Sequence, residues 1–230
     1  SAFSILLFSG CSTVSYLFQA TRGQLELFNR ARPIEEVLKD ETVSPKTREL
    51  LAQVGDIKKF GETYGLKPTS NYRKYVDLKR PAVVWVVSAC EELEFKAREW
   101  KFPIVGSFPY LGWFNLEAAK KYATDLKSKG LDVDVRGAGA YSTLGWFNDP
   151  ILSTMIPEGD RGLGELVDVV IHESVHATIY LNDQSYFNES LASFVAEGLT
   201  PIFLESRKGK DSIEEKTYTK DLVDSESRQK

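Results

Sequence analysis

Imidazole and thiol groups are scarce in this sequence of 230 residues, and its 29 Lys and Arg are outnumbered by its 33 Asp and Glu. It contains 2 His, 2 Cys and 1 Met, and its formal net charge at pH 7 is −4. Two cysteines cannot build a disulfide framework. The negative net charge excludes the basic surface that nucleic-acid binding requires, so we expect no nucleic-acid partner. Any metal or acid–base chemistry that needs imidazole must use His172, His176 or both.

Long hydrophobic runs are also absent, although apolar residues are plentiful overall. The apolar run at the start of the chain is far too short to span a bilayer as a helix. Hydrophobic residues make up 42% of the chain and aromatic residues 12%, which is enough to offset the entropy of ordering it. The 16 Gly and 9 Pro are scattered singly, which excludes a collagen-like or low-complexity protein.

The first eleven residues have the pattern of a bacterial lipoprotein signal. An apolar run is followed by the small residues Ser9 and Gly10 and then by Cys11. A signal peptidase needs small residues at that place, and Cys11 would carry the lipid. Phe8 stands where Leu is usual, and no basic stretch precedes the run, so we expect the chain to begin within the signal. This pattern predicts a lipid anchor in the bacterial cell envelope, on the outer membrane and facing the periplasm; the alternative is a buried N-terminal segment.

Periodicity and turn residues predict helices in the first part of the chain, strands in the middle and two helices after them. Expected helices cover residues 13–31, 45–64, 116–129, 160–179 and 185–198, and expected strands cover 82–89, 102–108 and 131–136. This order indicates the α+β class with a small mixed sheet. We expect one domain over residues 12–204 and a charged, truncated segment, either a solvated helix or a tail, over residues 205–230.

Residues 172–176, with the sequence HESVH, have the HExxH pattern inside a predicted apolar helix. Residues four apart in a helix share one face, so His172 and His176 can bind one cation together. Glu173 then lies beside the metal, where it can act as general base toward an activated water molecule. Two His and a Glu are costly in an apolar helix unless something binds them. The alternative is two buried His that make ordinary hydrogen bonds.

A catalytic zinc site needs a third protein ligand, which cannot be a histidine in this chain. Glu189, on the next predicted helix, is the best candidate, and Asp183 is its rival. Glu197, two turns further on, is either a hydrogen-bond partner of a ligand His or a solvated charge. The developing oxyanion needs a donor other than His. Tyr141 is our candidate, with an arginine or the backbone as alternatives.

Six motifs spread along the chain resemble the family of putative bacterial aminopeptidases. They are GQLEL at 23–27, ARPI at 31–34, FPIVG at 102–106, AYSTLGWFNDP at 140–150, HESVH at 172–176 and FNES at 187–190. The resemblance covers residues 11–204 and implies a zincin-like fold and a Zn²⁺ site of the gluzincin type. In that site His172, His176 and Glu189 would be ligands and Glu173 the base. The Asn188–Glu189 pair also looks like the Asn–Glu of thermolysin-like enzymes, which makes Asn188 a supporting residue.

Two features depart from the family's pattern. Members commonly carry Cys on either side of the Phe-Pro-Ile segment, whereas Lys101 and Ser107 stand there in this chain. A cross-link that would stiffen that segment is therefore not expected. Family chains also run longer at the C-terminus.

Together, the motifs and the resemblance predict zinc-dependent hydrolysis of peptide bonds, with cleavage from the amino end of a peptide substrate. Two other functions stay open at this point. One is a membrane-anchored module that binds zinc and a peptide, or assists assembly, without turnover. The other is an amidase or endopeptidase that acts on cell-envelope peptides.

Overall fold

The computed structural model describes residues 8–94, 96–102, 106–140, 143, 147–157 and 159–228, with side chains described from residue 16 to residue 224 of these ranges. The helices are α1 (Phe8–Arg30), α2 (Ile34–Val37), α3 (Pro45–Thr63), α4 (Leu116–Lys127), α5 (Gly162–Thr178), α6 (Ser185–Lys208) and α7 (Ile213–Arg228). The strands are β1 (Arg32–Pro33), β2 (Lys74–Val76), β3 (Val84–Glu91), β4 (Trp100–Phe102), β5 (Gly106–Phe108), β6 (Tyr110–Trp113), β7 (Leu131–Ala138) and β8 (Ile151–Leu152). The predicted α+β class is confirmed. The chain divides into two compact units, Ser1–Ala31 with Arg80–Gly139, and Arg32–Lys79 with Ala140–Lys230.

The first unit is built on an antiparallel sheet with the strand order β6-β3-β7. Helix α4 packs against this sheet, and Asn115 caps it because its Oδ1 accepts a 2.9 Å hydrogen bond from the Ala118 N–H. The core between helix and sheet consists of Val87, Ala89, Leu111, Trp113, Ala119, Ala123, Leu126 and Leu131. Every second residue of β7 from Leu131 to Val135 is at least partly buried, as the sequence alternation predicts.

Helix α1 is joined to the edge strand β6 through one glutamine. The Gln19 Nε2 donates to the Gly112 carbonyl at 3.2 Å, and its Oε1 accepts from the Phe114 N–H at 3.1 Å. One turn later on α1, a Cβ at Gly23 would overlap the Phe114 ring. Glycine at this position therefore allows the close approach of helix and strand.

The second unit combines a small mixed sheet with the helices α2, α3, α5, α6 and α7. The strand order of this sheet is β1-β2-β8. Strand β1 pairs antiparallel with β2, and β2 pairs parallel with β8. Ser44 caps α3, since its Oγ accepts a 3.0 Å hydrogen bond from the Thr47 N–H. The apolar residues of α3 and α5 supply much of the core: Leu50, Leu51, Val54, Ile57, Leu163, Leu166, Val167, Val170, Ile171 and Val175. Among the described residues, no helix combines the length and apolarity that crossing a bilayer requires.

Three predicted elements differ clearly from the observed ones. Helix α1 begins at Phe8 rather than at residue 13. The predicted strand at 102–108 is instead two short strands, β4 and β5, which pair with each other antiparallel. Helix α6 does not stop at Gly198 but continues through Pro201, because Thr200, Phe203 and Leu204 extend its buried stripe. Gly209, with φ of 87°, follows its end.

The charged C-terminal segment is largely helical. Its first residues, 205–208, complete α6, and most of the remainder forms α7. Of the two alternatives that the sequence left open, the helix is therefore the correct one. It is not solvated on all sides, because Tyr218 is only 6% exposed.

Candidate metal centre

Helix α5 carries three of the predicted site residues within five positions. His172 and His176 lie one turn apart on the same face, with ring centroids 4.9 Å apart. The His172 side chain is 20% exposed and that of His176 is 5% exposed. Glu173 follows His172 directly and is 7% exposed. The apolar stripe of α5 holds the helix in the core, so this turn has little freedom to move.

The connection between α5 and α6 returns the chain and brings a further carboxylate to the two histidines. Asp183 lies in this connection with φ of 60°, the left-handed region that Asp tolerates better than most residues. The Asn188 side chain accepts from the Leu181 N–H at 2.9 Å and donates to the Leu181 carbonyl at 2.7 Å. Asn188 is 2% exposed. It therefore ties the first turn of α6 to the connection and determines where the next residue, Glu189, lies.

The predicted ligand atoms converge. The two Nε2 atoms of His172 and His176 are 3.2 Å apart. Glu189 Oε2 lies 3.3 Å from the His172 Nε2, and Glu189 Oε1 lies 3.6 Å from the His176 Nε2. Ligands that are about 2.1 Å from a tetrahedral zinc ion lie roughly 3.4 Å from one another. Two imidazole nitrogens and a carboxylate at these separations fit a divalent ion, and these three residues can hold one.

The electrostatics of the group favour positive charge between its members. The pKa of Glu189 falls to about 2 because His172 and His176 hydrogen-bond to its carboxylate, against the opposing effect of burial. Burial alone lowers the pKa of His172. This effect of burial is outweighed by the hydrogen bond with Glu189 and by the charges of Glu173, Glu189 and Asp168, so the pKa of His172 is raised overall. The carboxylates thus create a place where a cation is stabilised.

Glu173 has the environment of a proton acceptor. Its Oε2 is buried and has no hydrogen-bond partner in the described part of the chain. Burial raises the pKa of this carboxyl group, while the positive charges of His172 and His176 oppose the rise. Leaving a buried carboxylate oxygen unpaired costs folding free energy. Such a group next to a metal-ligand set can take a proton from a water molecule at the site.

Tyr72 and Asp149 interact electrostatically with Glu173; the sequence motifs include Asp149 but gave it no role, and they do not include Tyr72. Tyr72 is 3% exposed, and its hydroxyl has no partner among the described residues. Its φ is 64°, which is unusual for a large side chain. A 2.7 Å bond from its N–H to the Asp149 carbonyl holds it, and the Asp149 N–H donates to the Asn71 Oδ1 at 3.1 Å. Burial and the charges of Glu173 and Asp149 raise the pKa of Tyr72.

Asp168 is a further residue that sequence reasoning missed. It lies one turn before His172 on α5 and accepts a 2.6 Å hydrogen bond from the Tyr218 hydroxyl of α7. Its four-residue spacing from His172 was readable in the sequence, but the contact with α7 was not.

Glu197, the predicted hydrogen-bond partner of a ligand His, is exposed on α6. Burial raises the pKa of Tyr218, and the charges of Asp168 and Glu197 raise it further. A hydrogen bond from the ring N–H of a ligand His to the Glu197 carboxylate stays a prediction.

Two predicted residues cannot be placed. Tyr141, the candidate oxyanion donor, lies outside the described residues. Position 11 belongs to α1, but the side chain of Cys11 is likewise outside the described part of the chain. The roles proposed for both residues stay predictions.

These observations define an α+β protein whose His–His–Glu group can hold a metal ion. The model of the family described as "Putative aminopeptidase" matches residues 15–229, and the chain belongs to this family. The family that the sequence motifs indicated is therefore confirmed. No curated protein and no solved structure matches the chain.

Proposed function

We propose that this chain is a zinc-dependent peptidase of the gluzincin type with a zincin-like catalytic fold. The observation that carries the proposal is the spacing of 3.2, 3.3 and 3.6 Å among the Nε2 atoms of His172 and His176 and the Glu189 carboxylate. The family description supports peptides as the substrate class. Cleavage from the amino end is the form of peptide hydrolysis that this description favours.

Each residue of the group has a defined task. His172, His176 and Glu189 would hold the ion, which when bound acts as a Lewis acid toward water and the scissile carbonyl. Glu173 accepts a proton from the attacking water at its buried carboxylate and then gives it to the leaving amine nitrogen. Because Glu173 shares a helical turn with two ligands, a rigid backbone carries the base to the reacting atoms.

The oxyanion that develops during the attack needs a hydrogen-bond donor. Tyr141 is the donor predicted from the sequence. Tyr72 is a second candidate, because its buried hydroxyl has no partner in the described residues and the charge of Glu173 helps to raise its pKa. Substituting each tyrosine by Phe distinguishes them: the donor's variant should lose kcat with little change in KM.

The decisive experiment compares two glutamine variants on α5. Glu173→Gln removes the base and keeps all three ligands, so we expect wild-type zinc content and a kcat lower by about 10²–10⁴-fold. Glu165→Gln is the matched control, since this residue lies two turns earlier on α5 and its ion pair with Arg161 is exposed. It should keep full activity. Wild-type turnover by Glu173→Gln would contradict the mechanism.

The direction of cleavage is tested with paired substrates. An aminopeptidase binds the free amine of its substrate, so N-acetylation of the same peptides should abolish their hydrolysis. Equal cleavage of free and blocked peptides would instead indicate an endopeptidase or another amidase.

We also propose that Cys11 carries a lipid that anchors the protein in the cell envelope, facing the periplasm. The support is the sequence alone, an apolar run and two small residues before Cys11. In the protein produced from its full reading frame, Cys11→Ala should move it from the membrane fraction to the aqueous one. Mass spectrometry of the N-terminal peptide should find an acylated cysteine in the wild type.

A further inference from the structure

A carboxylate one helical turn before a metal-ligating histidine can orient its ring. Asp168 and His172 are four residues apart on α5 and therefore share a face. Long side chains in a helix lean toward its N-terminus, which is the direction of Asp168 from His172, and the charge of Asp168 helps to raise the pKa of His172. The His172 Nε2 faces His176 and Glu189, at 3.2 and 3.3 Å. The remaining ring nitrogen, Nδ1, is the one that a partner must orient.

Asp168 is itself held from the C-terminal helix. The Tyr218 hydroxyl of α7 donates to Asp168 Oδ1 at 2.6 Å. A Cβ at Gly164 would lie only 3.0 Å from the Tyr218 Cβ, so glycine there permits this close packing of α7 on α5. A 2.9 Å ion pair between Arg161 Nε and Asp221 Oδ2 joins the same two helices nearer the surface. The close packing at Gly164 and the hydrogen bond to Oδ1 thus place Tyr218 against Asp168, and the exposed ion pair is a separate contact between the two helices.

The placement of Asp168 is unfavourable unless a positive partner is present. Burial raises the pKa of Asp168, and only the Tyr218 hydrogen bond and the charge of His172 oppose this. A neutral hydroxyl compensates poorly for taking a carboxylate out of water. An imidazole that donates from Nδ1 while its Nε2 binds a cation supplies the missing partner.

On the premise of the metal site proposed above, we propose that Asp168, held by Tyr218, is a positioning residue that orients His172 for metal binding. Helix α7 is then part of the metal centre. The sequence of residues 205–230 is mostly charged and gives no indication of this role, because the role depends on one buried tyrosine, Tyr218.

The test measures zinc affinity by competition with a chromophoric chelator, together with the visible spectrum of the cobalt-loaded protein. Asp168→Asn should weaken zinc binding by about 10–100-fold and alter the cobalt bands. The metal-free variant should be as stable as the wild type or more stable, since a buried charge has been removed. Tyr218→Phe should cause a smaller loss of affinity in the same direction. Combining the two should add little, because both act through one carboxylate.

Asp221→Asn is the matched control, because it breaks the exposed α7–α5 ion pair and leaves Tyr218 and Asp168 intact. It should bind zinc as the wild type does. Wild-type affinity in Asp168→Asn would overturn the inference, and so would an equal loss in Asp221→Asn, since α7 would then act only as a structural support. Failure of the wild type to bind zinc at all would overturn the proposed metal site itself, which is a separate and recognisable result.

Discussion

Two buried tyrosines of the second unit should respond oppositely to the same substitution. Tyr72 is 3% exposed and Tyr218 is 6% exposed. The Tyr218 hydroxyl donates to Asp168 at 2.6 Å, whereas the Tyr72 hydroxyl has no partner among the described residues. Replacing either residue by Phe removes one hydroxyl and keeps the ring. We therefore expect Tyr72→Phe to stabilise the metal-free protein and Tyr218→Phe to destabilise it.

The magnitudes follow from the two environments. A buried hydroxyl without a partner costs about 1–3 kcal/mol, so its removal at Tyr72 should recover roughly 1 kcal/mol or more. A hydrogen bond to a charged group contributes about 1.5–3 kcal/mol, which Tyr218→Phe should lose. For a chain of this length, 1 kcal/mol shifts Tm by about 2–4 °C. The expected changes are a rise of at least about 2–4 °C for Tyr72→Phe and a fall of about 3–12 °C for Tyr218→Phe.

The assay is thermal unfolding of chelator-treated protein, followed by circular dichroism and by calorimetry at one pH. Turnover of the zinc-loaded proteins is measured in parallel. Tyr72→Phe should raise Tm whichever tyrosine is the oxyanion donor, and a lower kcat in the same variant would identify Tyr72 as a functional group held at a cost to folding. If Tyr72→Phe lowers Tm as much as Tyr218→Phe does, the Tyr72 hydroxyl has a stabilising partner and the reasoning is refuted.

Three further predictions concern the fold around the site. Gly23→Ala forces a methyl group into the Phe114 ring and should destabilise the first unit by about 1–3 kcal/mol in calorimetry, whereas an unchanged Tm would show that α1 shifts freely. Ser44→Ala removes the α3 cap and should cost about 1 kcal/mol, with Ser44→Thr as a conservative control that keeps it. Hydrogen bonds, led by that from Thr42, lower the pKa of Asp40 to about 2. Because this pKa lies below its ordinary value, the stabilisation is complete above about pH 4 and lost as the pH falls through about 2. The Tm difference between the wild type and Asp40→Asn should therefore vanish in that range, and a difference that persists at about pH 1.5 would contradict the assignment.

Local signals predicted most of the secondary structure correctly. The caps at Ser44 and Asn115 are where residue type and spacing indicate them, and the alternation from Leu131 onward does form a strand. The errors occur where tertiary packing overrides a local stop signal. Gly198 does not end α6, because the buried contacts of Phe203 and Leu204 continue the helix beyond it.

The residues of the candidate site also fall into two groups, those that local spacing identifies and those that depend on tertiary packing. His172, Glu173 and His176 were identifiable because their relation is one of helical periodicity. Glu189 could only be chosen from several acidic residues, since its approach depends on the turn that Asn188 holds to Leu181. The geometry of this turn depends on hydrogen bonds between the Asn188 side chain and the Leu181 backbone. The sequence does not indicate which of many backbone groups such a side chain will bind.

The sequence by itself determined the α+β class, the family and the imidazole pair, because each depends on residues close together in the chain or on motifs in a fixed order. Only the tertiary structure decided which buried polar groups surround that pair. The charge of Glu173 acts on Tyr72, and the Tyr218 hydroxyl donates to Asp168, although the residues of each pair are far apart in the chain. Such pairs are set by how helices and loops pack, and no periodicity along the sequence encodes them.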